Sequence, residues 1–235
     1  MSDSAGQRAY HHGNLRAEIL DAAIRELDTV PAEQLSLRAI ARAVGVSQTA
    51  PYRHFADKEN LLAAMATRGY GQLLDTLRRE LAAADSSAAA QLHALARAYV
   101  SYAAEHESLF KLMFGPLVQP GEDLPELREV SRETLTLVKG ILQRGMDSGE
   151  FRTQDVVYLA NAAWAGIHGV ATLRIDAPAL FKRYVDLERQ IRVAVDTFIA
   201  GQSNETIKAA LEHLREELRH RDYMADAEQL ALKAA

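Results

Sequence analysis

Apolar residues recur at helical spacing along nearly the whole chain, and the alternation of β-branched residues that marks strands is missing. A first stripe at Leu15, Ile19, Ala22, Ala23 and Leu27 predicts a helix that Asn14 can cap and that runs to about Val30, where Pro31 stops it. Ser36 then caps a helix over residues 37–44 and Gly45 breaks it. Ser47 caps a short helix through about Phe55, and Asp57 caps a long one running to about Ala84. Turn and cap residues at 85–87, 115–125, 145–153, 176–178 and 201–204 divide the remaining chain into five or more further helices. Past residue 204, the stripe Ile207, Leu211, Leu214 and Leu218, with Glu217 four residues before Arg221, predicts an amphipathic helix lying on the protein body. The expectation is an all-α protein. It has an N-terminal arm over 1–13, a compact unit of short helices over 14–68, a larger helical body over 69–203 and a helical extension over 204–235.

Composition narrows the function. With 48% hydrophobic and 25% charged residues in 235, the chain has globular composition and is not globally disordered. It holds no cysteine, which excludes disulfides, thiolate zinc sites, iron–sulfur clusters and a cysteine nucleophile; a reducing cytoplasm is the expected location. The start lacks the apolar core of a signal peptide, and the longest apolar run, 156–173, is interrupted by Asn161 and His168, so membrane spanning is not expected. HExxH, phosphate-loop, GxGxxG and nucleophile-elbow motifs are missing. The eight histidines are scattered, and Glu105-His106-Glu107 falls at a helix end, so no enzyme, metal site or cofactor is expected. Net charge is −5, yet residues 36–58 carry Arg38, Arg42, Arg53 and Lys58 against Asp57 alone, a local balance of +3. Screening over about 8 Å lets such a patch meet phosphates on an acidic protein.

The window from Leu37 to Phe55 is constrained at several positions together. Ala41 sits where two helices must approach closely, and Gly45 stands at a turn where positive φ is cheap only without a Cβ. Ile40, Val44 and Val46 supply apolar faces that lock one helix across the other, which is what a helix-turn-helix requires. The stretches YHHGNLRAEILDAAIREL and LSLRAIARAVGVSQTAPYRHFADKENLL resemble the DNA-binding domain of the tetracycline-repressor (TetR) family of transcriptional regulators, over about residues 8–68. GMDSGEFR followed by Asp155 resembles the family's entry into its penultimate helix. Trp164 with His168-Gly169 resembles a subgroup with a Trp, His-Gly signature in its regulatory domain. Two departures stand out: residues 28–34 lack the usual glycine at the end of the first helix, and Pro51 replaces the usual Leu or Ile of the recognition helix. Proline near the first turn, where most N–H groups lack helical partners, predicts a slightly irregular recognition helix that begins cleanly only near Pro51.

The resemblance, with position, implies that the helix headed by Ser47 enters the major groove of double-stranded DNA with Gln48, Thr49, Ala50 and Pro51 near base edges. Gln48 can pair in bidentate fashion with adenine, while Thr49 and Pro51 can touch thymine methyls. Tyr52, His54, Lys58, Ser36 and Arg38 match positions that mostly hold phosphates, His54 having a structural cap as its alternative role. Phe55 is expected in the core. Arg8, His11 and His12 on an arm expected to be disordered can reach a minor groove or the backbone.

One such helix covers few base pairs, so a homodimer on a palindromic operator is expected. The stripes Leu159, Ala163, Gly166, Val170, Leu173 and Tyr184, Leu187, Ile191, Ala194, Phe198 resemble the two C-terminal helices that pair as a four-helix bundle in the family, with packing on the chain's own core as the alternative. The resemblance also implies a small-molecule effector, with Tyr99, Tyr102, Phe110, Met113, Phe114, Trp164 and His168 as lining candidates or plain core. The function expected is a DNA-binding regulator, most often a repressor, modulated by that effector. The competing class is a helical protein-interaction or RNA-binding module built on the same scaffold.

Overall fold

The computed structural model describes residues 15–205 and 208–216, and its only β feature among them is an isolated bridge between Phe151 and Ser203. The helices are α1 (Leu15–Leu27), α2 (Leu37–Val44), α3 (Lys58–Ala83), α4 (Ala88–Glu105), α5 (Glu107–Phe114), α6 (Pro125–Asp147), α7 (Val156–Asp176), α8 (Pro178–Arg183) and α9 (Leu187–Gln202), with 3-10 turns at Ala32–Gln34 and Pro51–Arg53. The chain forms two compact units. One comprises the chain to Thr76 with Tyr102–Thr134, the other Leu77–Ser101 with the chain from Leu135.

In the first unit, α1 buries Ile19, Leu20, Ala22, Ala23 and Leu27 and packs on α2. It stops at Leu27, short of the predicted Val30, because the Thr29 and Val30 amides turn back to the Glu26 carbonyl at 3.0 Å each ahead of Pro31. Leu37, Ile40 and Ala41 are the buried face of α2. Gly45, at φ 78°, ends it: its N–H meets the Ala41 and Arg42 carbonyls while Val46 N–H bonds Ala41 O, the left-handed C-terminal turn that glycine adopts without strain. Ser36 does not cap α2 with its side chain as the sequence suggested; it stands in extended backbone, exposed, and contributes only its carbonyl, to Ile40 N–H. Asp57 does cap α3, its carboxylate accepting from the amide and the side chain of Asn60 at 2.8 and 2.9 Å, bonds that hold its pKa below the usual aspartate value.

Further along α3, Gly69 allows a close approach of α5, since a Cβ there would lie 2.5 Å from Met113 Sδ. Two buried hydroxyls tie this layer together: Tyr70 donates to Met113 O at 3.1 Å and Tyr102 to Gly69 O at 2.9 Å. Burial raises both phenol pKa values, so both stay protonated donors.

In the second unit, α7 packs on α8 and α9. Asp155 caps α7, its carboxylate accepting from Val157 and Tyr158 N–H at 2.8 and 3.4 Å. The loop before it is a junction. The Glu150 carboxylate accepts both N–H groups that open α4, from Ala88 at 2.9 Å and Ala89 at 2.8 Å, and Asn204 donates to the carbonyls of Gly149 and Phe151. Phe151 itself is fully buried.

Residues 208–216 are helical, but every one is exposed, so this part of the extension does not bury its apolar stripe: Leu211 and Leu214 stand open to solvent. Asn14, the arm with Arg8, His11 and His12, Ile207, Leu218 and the Glu217–Arg221 pair lie outside the described residues.

Candidate nucleic-acid interface

The Gly45 turn delivers the chain to a segment with little helix of its own. Ala50 N–H bonds Ser47 O, Arg53 N–H bonds Ala50 O, and His54 and Phe55 N–H both bond Pro51 O. The predicted helix from Ser47 to Phe55 is therefore corrected to a turn at 47–50 followed by one 3-10 turn opening at Pro51. Proline costs nothing at that position because a first-turn N–H has no helical partner to lose.

Pro51 is also fully buried, which removes it from the base-reading set. With Phe55, four residues on and equally buried, it forms the inward face of the segment, and α2 packs against this turn. The other side of the segment faces solvent. Gln48, Thr49, Arg53 and His54 are exposed, as are Ser36, Arg38 and Ser47, and Tyr52 has 47% of its surface open. Ser47 Oγ and Thr49 Oγ1 share a hydrogen bond at 3.2 Å. Lys58, half-buried, donates from Nζ to the Glu33 carbonyl, which leaves two of its three ammonium protons for other acceptors. Arg53 is a cation that the sequence reading counted in the charge balance but left out of the contact set.

The proposed effector residues do not form one set. Tyr102, Phe110 and Met113 are buried within the first unit. Phe110 lies 4.7 Å from the Phe114 ring, centroid to centroid, and Tyr102 bonds to Gly69, so all three pack inside that unit. Tyr99, Trp164 and His168 do come together, in the second unit. Trp164 Nε1–H donates to Tyr99 Oη at 3.3 Å, and that hydroxyl meets His168 Nδ1 at 2.8 Å. An indole N–H can only donate, so it takes the phenol oxygen as acceptor. The same hydroxyl shares its second bond with the imidazole, joining the three side chains in one chain of hydrogen bonds. Burial lowers the His168 pKa, in keeping with a neutral ring.

The dimer stripes divide as well. Leu159, Val170 and Ile191 are buried inside the second unit and are corrected to core. Ala163, Leu187, Ala194 and Phe198 are half-buried, whereas Gly166, Leu173 and Tyr184 are exposed, Tyr184 at 80%. The sequence reading missed Val157, Tyr158 (77% exposed) and Val193, which share that openness. The reason is geometric: α7 is apolar on more than one side, and a single 4-3 stripe follows only one of them. By length and composition alone α7 would also pass as a membrane-crossing helix, with 22% of its most apolar window buried.

Known proteins match both parts of the chain. Residues 19–65 match the model of bacterial regulatory proteins of the tetR family, and residues 92–198 that of the tetracyclin repressor-like C-terminal domain. The HTH-type transcriptional regulator Rv1816 of Mycobacterium tuberculosis is 30% identical over 156 residues, 65% of this chain and 66% of that one, so the match spans just under two thirds of that curated relative. A solved protein of unknown function from Rhodococcus sp. RHA1 is 35% identical with a TM-score of 0.75, covering 84% of this chain and all of that one. The regulator FadR of Bacillus subtilis, solved with stearoyl-CoA, shares the fold at 21% identity and a TM-score of 0.66, over 79% of this chain and 98% of that one. With its helix-turn-helix and its C-terminal body each matched, the chain belongs to the TetR family of bacterial regulatory proteins.

Proposed function

We propose that this chain is a cytoplasmic, non-enzymatic repressor that binds a palindromic operator as a homodimer and is released by a small-molecule effector. The observation that carries this reading is the two-sided segment after Gly45, with Pro51 and Phe55 inward and Gln48, Thr49, Tyr52, Arg53 and His54 outward beside Arg38 and Lys58. Gln48 and Thr49 read base edges. Tyr52, His54, Lys58, Ser36, Arg38 and Ser47 hold the phosphates that fix the register. Residues 14–68 carry the DNA contact, with the arm 1–13 ahead of them. Residues 69–203 carry the effector site and the dimer face, and 204–235 form an extension. For the dimer face, the open apolar side chains of α7 and α9, with Tyr158, Leu173 and Val193 among them, and the exposed Gly166, where a second helix can approach closely, support pairing with a second copy. For the effector, Tyr99, Trp164 and His168 offer aromatic surface and a connected set of polar atoms. FadR, solved with stearoyl-CoA, supports small-molecule binding in this fold.

Duplex titrations of two variants test the assignment of roles. Gln48→Ala should flatten discrimination at one base pair per half-site, by about 1–3 kcal/mol. Tyr52→Phe should weaken all duplexes alike. Equal losses on every duplex for Gln48→Ala would remove Gln48 as a reader.

A further inference from the structure

Resting on the DNA-binding function proposed above, we infer that Arg16, on α1 and outside the helix-turn-helix window, is an additional DNA phosphate clamp. Its guanidinium carbon lies 5.2 Å from the centroid of the Phe55 ring. Phe55 is buried and its amide bonds Pro51 O just past the 3-10 turn that His54 closes, so its ring is a fixed platform at the end of the turn Tyr52–His54. Arg16 itself is exposed. Arg68, on α3, is occupied by Asp21 at 3.2 Å, whereas among the described residues no carboxylate lies within ion-pair distance of Arg16.

A guanidinium held near a ring uses none of its N–H donors on that contact, so they stay available to grip a phosphate in bidentate fashion. Arg16 takes a phosphate next to those held from the turn Tyr52–His54, which Phe55 follows directly in the chain. Nothing in a helix-turn-helix pattern read along the sequence points to this residue, because Arg16 and Phe55 are 39 positions apart and meet only in the fold.

Salt titrations on one mixed-sequence duplex separate clamping from packing. Each phosphate released should lower the magnitude of the slope of log K against log salt by about 0.9. Arg16→Gln, which keeps most of the side chain's length and polarity without its charge, should therefore lose about 0.9 from the slope per protomer bound and on the order of tenfold in affinity near 0.1 M salt. Arg16→Lys should keep the slope, and unchanged helicity and melting temperature of Arg16→Gln should show that the fold is intact. Arg16→Gln titrating parallel to the parent chain, or Arg16→Lys losing as much slope as Arg16→Gln, would reduce Arg16 to a cover for Phe55.

Discussion

Truncating Ile40 to Ala should cost about 2–5 kcal/mol of stability and a larger share of duplex affinity. Ile40 is fully buried on an eight-residue helix, too short to hold itself together by its own hydrogen bonds. What fixes α2 is the burial of Leu37, Ile40 and Ala41 and its packing on α1, and what fixes the outward-facing turn is α2. That turn has one 3-10 turn of its own and a buried Pro51, so its orientation is borrowed from the helix behind it. A cavity at 40 should let α2 shift before the rest of the protein melts. Affinity should then fall at temperatures where the chain is still folded. Ile40→Val, which removes one methyl group, should cost only about 0.5–1.5 kcal/mol. Thermal unfolding read beside duplex titration checks both. If Ile40→Ala lowers the melting temperature while the folded protein binds DNA unchanged, α2 is not the brace.

In the second unit, Phe151→Ala should be as damaging, at about 3–5 kcal/mol. The ring closes the junction where Glu150 caps α4 and Asn204 ties the chain after α9 to the loop. Gly145 exists for that ring: a Cβ at 145 would fall 2.4 Å from Phe151 Cδ2 and 2.9 Å from Ala88 Cβ. Alanine in a helix interior normally gains up to about 1 kcal/mol over glycine. Overpacking against a buried ring costs about 1–3 kcal/mol, so Gly145→Ala should be a net loss. In the double variant the new methyl group occupies part of the cavity left by the ring, and the two losses should sum to more than the measured one. Gly71→Ala, also helical but with nothing within 4 Å of its Cβ, should instead stabilise by several tenths of a kcal/mol. Strict additivity of the Gly145 and Phe151 changes would show that the contact carries no strain.

Features encoded locally were mostly legible in the sequence, the Ser36 side chain, which does not cap α2, being an exception. Gly45, Asp57 and Asp155 act where they stand because a left-handed turn or a cap involves only neighbours a few residues away. Phe55 lies in the core as expected, on the strength of its large apolar side chain alone. Three features failed for want of tertiary information. Pro51 was assigned to base edges because position in a motif does not say which side of a short segment turns inward. Glu150 escaped notice because the helix it caps begins 62 residues earlier. Leu159, Val170 and Ile191 were assigned to a dimer face because a helix apolar on several sides offers more than one stripe, and periodicity alone does not rank them. Tyr102 and Met113 illustrate the same limit: the aromatic and thioether chemistry that suggests a ligand site serves equally well to fasten α5 and α4 to Gly69.

The claim on which the rest depends is that the exposed face of residues 47–54 reads DNA in two symmetry-related copies. Selection of bound duplexes from a random library by the full chain tests this most directly. The expected result is a palindrome whose half-sites lie about one helical turn apart, with one position in each half that loses its preference when Gln48 is replaced by Ala. Enrichment of no motif, or of a single asymmetric site untouched by Gln48→Ala, would contradict it.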